Sequence, residues 1–235
     1  MSDQDARGIP DAVKRTLRTL LLGQIKEMPT GDIYELELFD WYIKETEKLL
    51  NAMLSREHKF IQGQVQSGME NINDSGIAAV DYYLKRVRYS HVIYLTSLLE
   101  TFLEKSCATL TTAIGHQNLP FTTAELKGDQ WSVRRKFLER FGKFSVPDNL
   151  WSDVQALITL RNNLVHDNGS TSELKFNDKK ILAKRNGVKL DGYEVVIEAA
   201  YIRSAFEAIK LVVQFVEKQI GTVVDRAIRP RATDY

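Results

Sequence analysis

A single cysteine, Cys107, is all the thiol chemistry that these 235 residues hold. One thiol cannot form an internal disulfide, so nothing points to an oxidising compartment. An excess of one charge sign is also missing, with 32 Lys and Arg against 31 Asp and Glu and a net charge of +1. Bulk electrostatics therefore announce no nucleic-acid or acidic partner, and attraction of that kind has to come from local clusters. Two such clusters exist, Arg134-Arg135-Lys136 and the C-terminal Arg226, Arg229 and Arg231, and both also read as ordinary solvated surface. No apolar run approaches the roughly 20 residues needed to span a bilayer. The polar stretch before Val13 lacks the apolar centre of a signal peptide. The expectation is a cytoplasmic protein with no membrane partner. No cluster of histidines and carboxylates calls for a metal, and no cofactor is expected.

Proline is scarce as well, at five residues: Pro10, Pro29, Pro120, Pro147 and Pro230. They leave long stretches free for uninterrupted helices. Val13, Leu17, Leu20, Leu21, Ile25 and Met28 recur at helical spacing, and Pro29-Thr30-Gly31 then predicts a break. Leu36, Phe39, Ile43, Leu50, Met53 and Phe60 follow a loose seven-residue rhythm in a second helix, so residues 9–66 read as a helical hairpin or arm. A turn-rich link through Asn71 to Gly76 leads to a third helix, about Ala78 to Ile114, apolar around most of its middle and suited to the centre of a bundle or a dimer interface. Thr122 and Glu125 resemble a capping box. Further helices are expected over Trp131–Phe141, from Pro147-Asp148 to the stop at Asn168-Gly169, and from Tyr201 to Ile220. Between the last two, Asn186-Gly187 and Asp191-Gly192 are hairpin turn signals within β-branched surroundings, which predicts a short β-hairpin. The fold class is mainly α.

The feature that carries chemistry is Arg161-Asn162-Asn163-Leu164-Val165-His166, on the last turns of the fifth helix. Leu160, Leu164 and Val165 are expected to point into the core and fix the helix rotation. Asn162 and His166, four residues apart, share a face. Arg161 lies about 140° from His166 on an ideal helix, so their convergence depends on how the helix ends or on a second chain. A ribonuclease that makes a cyclic phosphate must take a proton from the attacking ribose hydroxyl and give one to the departing oxygen. A histidine with an ordinary pKa near 6.5 can do either. A guanidinium can stabilise the charge that gathers on the phosphorane, and an amide can orient without adding charge. His58, His91 and His116 are scattered and receive no role. Tyr82, Tyr83, Tyr89 and Tyr94 suit base stacking or, more simply, packing.

With its Arg, the polar residue after it and His five positions on, this motif resembles that of the HEPN superfamily. The segment Tyr94 to Leu103 resembles the central helix of those proteins, and Trp151 to Gly169 their motif helix. The likeness spans about residues 78–222. It implies a HEPN-like helical domain there, after an N-terminal arm over residues 1–77 with no family assigned and before a basic flexible tail over 223–235. It further implies a metal-independent endoribonuclease that cuts RNA to a 2',3'-cyclic phosphate, as a homodimer with facing motifs, in a toxin or phage-defence setting. Some members have an antitoxin or nucleotidyltransferase partner. Site roles follow from the resemblance: His166 as general acid or base, Arg161 on the phosphate, Asn162 orienting, and Glu100 as the acidic residue of the central helix. Other members have lost activity and serve as dimerising or binding modules, so a non-catalytic module for a protein or nucleic-acid partner is the alternative.

Overall fold

Heptad spacing on the first helix decides which face is covered. In the computed structural model, which describes residues 11–68, 74–115, 119, 123 and 128–228, with side chains from Tyr34 to Arg226, Leu36, Phe39, Ile43 and Leu50 are buried while Met53 and Phe60 of the same rhythm stay exposed. Glu47, on the same stripe, is buried too. Among the described residues, six helices and two strands follow one another: α1 (Asp11–Gln66), α2 (Ser75–Ile114), α3 (Gln130–Gly142), α4 (Asp148–His166), α5 (Phe176–Leu182), β1 (Val188–Asp191), β2 (Glu194–Ile197) and α6 (Ala199–Ile228). The chain is mainly helical, with a short antiparallel hairpin before its last helix, as the sequence predicts.

Several details differ from the sequence reading. α1 is one helix where a two-helix arm is expected, because helical backbone continues through Pro29-Thr30-Gly31. An interior proline removes one backbone donor and strains the preceding turn, which does not by itself reverse a chain. The 174–187 stretch holds the helix α5, too short for its periodicity to stand out. Asn186-Gly187 therefore joins α5 to β1, while the hairpin turn is Gly192-Tyr193, closed by Asp191 opposite Glu194. α6 runs to Ile228, which places Arg226 in its last turn. The capping box at Thr122 and Glu125 and the tail cations Arg229 and Arg231 lie outside the described residues.

The described residues fall into two compact units: those within Met1–Glu35, Phe102–Ser145 and Gln214–Tyr235, and those within Leu36–Thr101 and Val146–Val213. In the first, Asp129 caps α3 by accepting from the Ser132 amide, and Phe137 packs on Phe141 with ring centres 4.8 Å apart. Burial pushes the Cys107 thiol up to about 12, which keeps it protonated and unreactive. Arg134 pairs with Glu104 at 3.3 Å and Arg135 with Glu139 at 2.8 Å, so two of the three cations in that cluster are engaged within the unit.

The second unit carries the motif. On α4, Trp151, Val154, Leu157, Leu160 and Leu164 are buried at spacings of three and four. On α2, Val92, Leu95 and Leu99 have no exposed surface at all. A buried ion pair ties α1 to α2, Arg88 donating Nε–H and Nη2–H to the two Glu47 oxygens at 2.7 and 2.8 Å. Arg88 also donates to the Ile197 carbonyl at 3.2 Å, which brings the end of β2 to the same guanidinium.

Candidate functional site

Helix α4 ends at His166 because the chain turns left-handed just beyond it, with φ of +52° at Asn168 and +79° at Gly169. The Asn163 carbonyl closes that end by accepting from the Asp167 amide at 2.9 Å and the Gly169 amide at 3.2 Å. This is the stop that Asn168-Gly169 predicts. The chain then pairs with the hairpin. Val195 donates its amide to the Gly169 carbonyl at 2.8 Å, and Thr171 donates to the Tyr193 carbonyl at 2.9 Å.

Residues far away in the chain pin this turn. Tyr89 of α2 is buried and donates its hydroxyl to the Val195 carbonyl at 2.6 Å. Burial, with Glu194 adding to it and Arg86 opposing, pushes its hydroxyl up to about 12, so it stays a donor. Arg86 donates to the Asn168 side-chain oxygen at 2.6 Å and lies over the Tyr82 ring, 5.1 Å from its centre. Lys85 pairs with Glu194. Gly169 sits so close to Tyr89 that a Cβ there would lie 2.6 Å from the hydroxyl oxygen. Glycine is thus required at that point for two reasons, backbone angle and space.

Inside the motif, the buried polar group is Asn163, 3% exposed, and the outward apolar one is Val165, 45% exposed. This corrects the expectation that Val165 points into the core. Measured from Leu160, position 163 falls on the buried stripe, whereas position 165 lies about 140° round the helix. Asn163 Nδ2–H donates to the Ser170 carbonyl at 2.7 Å, so its amide holds the turn closed. Its side-chain oxygen is buried with no partner.

The predicted site residues separate as follows. Arg161 is half-buried and donates to the exposed Asn162 side-chain oxygen at 3.1 Å. Among the described residues no carboxylate pairs with Arg161. His166 is exposed in the last turn of α4. Among the predicted site residues a hydrogen bond joins Arg161 to Asn162, and none joins either of them to His166. Glu100 is half-buried on α2 and is engaged. His91, to which the sequence gives no role, is 1% exposed and packs edge-on against Phe39 and Tyr42, with ring centres 5.6 Å away in each case. Burial first, and Arg88 after it, hold its imidazole below the ordinary value, with Glu47 acting the other way. Among the described residues, no three His, Cys, Asp or Glu side chains gather where they could hold a metal ion, and no helix is long and apolar enough to cross a membrane.

The residues that sequence reasoning missed are Asn163, Arg86, Tyr89 and Asn168 in its side-chain role. The one signal for them was Asn163 itself, a polar residue on the apolar stripe. Comparison with known proteins adds no neighbour to this picture: no family model, curated protein or solved structure matches the chain.

Proposed function

We propose that the chain is a metal-independent endoribonuclease of the HEPN kind, working as a homodimer. The observation that carries the reading is the polar end of α4, where Arg161 and Asn162 are joined to each other, His166 is exposed, and no described carboxylate neutralises the guanidinium. An unpaired, half-buried guanidinium on a rigid helix is a ready receptor for a phosphate oxygen. An exposed imidazole is open to a bound ribose phosphate as a general acid or base.

In the reaction, the ribose 2'-oxygen attacks the adjacent phosphorus as its proton leaves to a base. The bond to the 5'-oxygen breaks, and that oxygen takes a proton from an acid, leaving a 2',3'-cyclic phosphate. His166 of one chain serves one of these transfers and the same residue of a second chain the other. Arg161 stabilises the charge on the equatorial oxygens and Asn162 holds the guanidinium in place. Glu100 contributes by positioning from α2. A toxin or defence role, and neutralisation by an antitoxin or nucleotidyltransferase, belong to this reading through the family resemblance alone.

Purified protein, treated with EDTA and incubated with mixed RNA, should yield cyclic-phosphate ends. His166→Ala and Arg161→Ala should abolish them while the far-UV spectrum and melting temperature stay unchanged. Cleavage that survives both substitutions would sink the assignment. The exposed apolar residues of α1 in the second unit, among them Leu38, Trp41, Leu49 and Phe60, favour a second reading as a non-catalytic binding module, since they offer a contact surface with no role in cleavage. Protein that dimerises or captures a partner without ever cutting RNA would support it.

A further inference from the structure

The turn from Ala183 to Gly187 is held in place from two sides. Arg185 pairs with Asp153 of α4 and donates through Nη2 to the Ser152 carbonyl and hydroxyl, both at 2.7 Å. The Glu198 amide donates to the Gly187 carbonyl at 2.7 Å, and Gly187 packs on the backbone of Tyr201, where a Cβ would lie 2.7 Å from the Tyr201 nitrogen. Between these anchors lies a cleft of about 210 Å³ lined by Asp153, Lys184, Arg185, Asn186, Tyr201 and Ser204.

Two of the residues that line this cleft each carry a buried polar atom with no partner, the Tyr201 hydroxyl and the Arg185 Nε–H. Tyr201 is only 3% exposed. Leaving a buried polar group unpaired costs about 1–3 kcal/mol, so two at one concave site point to something that satisfies them. Burial raises the tyrosine hydroxyl, against the influence of Arg185, so it is present as a donor. Both orphans are then donors, and the neighbouring Lys184 ammonium is a third. Two cationic side chains face a single carboxylate, which Arg185 already engages. At roughly 30 Å³ per water, the cleft holds roughly seven water-sized groups, enough for a phosphate with a small substituent.

We infer that this cleft binds a phosphate group, either free phosphate or a small phosphate monoester, through Tyr201, Arg185 and Lys184. Phosphate presents several oxygens to several donors. The guanidinium is held by Asp153 and Ser152, so little further ordering of it is needed. The site uses neither Arg161 nor His166. Along α4, Asp153 and His166 are about 20 Å apart at 1.5 Å per residue, so the success or failure of either proposal leaves the other standing.

The test is a titration of the full chain in chloride buffer, followed by the Arg185 Nε–H and Tyr201 amide signals in nitrogen-edited NMR. Inorganic phosphate, uridine 5'-monophosphate and acetate are the three probes. Saturable shifts are expected with the first two. Equal affinity for both identifies free phosphate as sufficient, and tighter binding of the monophosphate identifies the ester. Tyr201→Phe keeps the ring and removes one donor, which should weaken binding about five- to tenfold without lowering the melting temperature of the unliganded protein. Lys184→Gln, on the exposed side, should weaken it in the same direction and cannot disturb the core. The absence of saturable shifts, binding that both variants leave unchanged, or acetate binding as tightly as phosphate would each overturn the proposal.

Discussion

Replacing Gly169 by alanine puts the closure of the motif helix to a quantitative test. Two costs apply at that position. At φ +79°, any Cβ meets backbone strain of about 1–2 kcal/mol. The new methyl would also lie 2.6 Å from the Tyr89 hydroxyl oxygen and 3.1 Å from two ring carbons, and overpacking of that kind adds about 1–3 kcal/mol. Gly169→Ala should therefore cost about 2–5 kcal/mol. Gly192 supplies the control, since its φ is +54° and a Cβ there would meet nothing within 4 Å. Gly192→Ala should show the backbone cost alone. Urea denaturation of both variants, with midpoints compared at a constant slope, gives the difference directly. A double-mutant cycle completes the test. Tyr89→Phe alone leaves the Val195 carbonyl without its donor, at about 1–3 kcal/mol, yet in the Gly169→Ala background it also removes the closest clash. The pair should thus cost at least about 1 kcal/mol less than the two separate effects added together. Equal costs for the two glycine variants, or simple additivity in the cycle, would refute the packing described between Tyr89 and the turn.

Other expectations follow from the same unit. Arg161→Lys keeps the charge but loses the planar fork, so single-turnover cleavage of RNA should fall about 100-fold or more with no change in melting temperature. Retention of full rate would mean that the guanidinium makes no contact specific to the transition state. Glu47→Ala strands the Arg88 guanidinium with the Ile197 carbonyl as its remaining partner and should cost about 3–5 kcal/mol in chemical denaturation; a loss below about 1 kcal/mol would show the pair to be solvated. His91 makes stability pH-dependent. Its folded pKa lies below the unfolded value of about 6.5, so the unfolded chain binds the proton first, and stability falls as pH drops through about 6.5 towards the folded pKa. Denaturation between pH 7.5 and 5 should show that loss in the native chain, and His91→Leu should remove this part of the slope. An identical slope in the variant would assign the effect to other groups.

Local signals carried most of the fold and little of the site. Helices α2, α3, α4 and α6 announce themselves by apolar spacing longer than any turn can mimic, and Asn168-Gly169 and Asp191-Gly192 mark turns through backbone angles that few other residues accept. α5 is seven residues long, less than two full turns, so no periodicity can build up. Pro29 misleads because proline is a strong local signal whose effect depends on the helix around it. At the site, the helix end was legible and its surroundings were not. Arg86 reaches Asn168 across 82 positions and Tyr89 reaches Val195 across 106. Such pairings depend on how distant segments register, which one sequence does not encode at short range. Val165 and Asn163 exchanged roles for a simpler reason: hydrophobicity suggested the valine, whereas helix geometry puts position 163 on the covered stripe.

The hydrogen bonds around Asn163, Gly169 and Val195 bear on how long the end of α4 survives thermal opening. Helix termini ordinarily fray, and their amides exchange with solvent at close to the free rate. Here the amides of Asp167, Gly169, Thr171 and Val195 are all engaged, so they should exchange slowly and together, as one cooperative patch that opens only when the hairpin lifts. A probe that loosened β2 would then register at His166 although it never touched the helix. The hairpin is thus the latch whose local opening free energy sets the working lifetime of the motif's final turn.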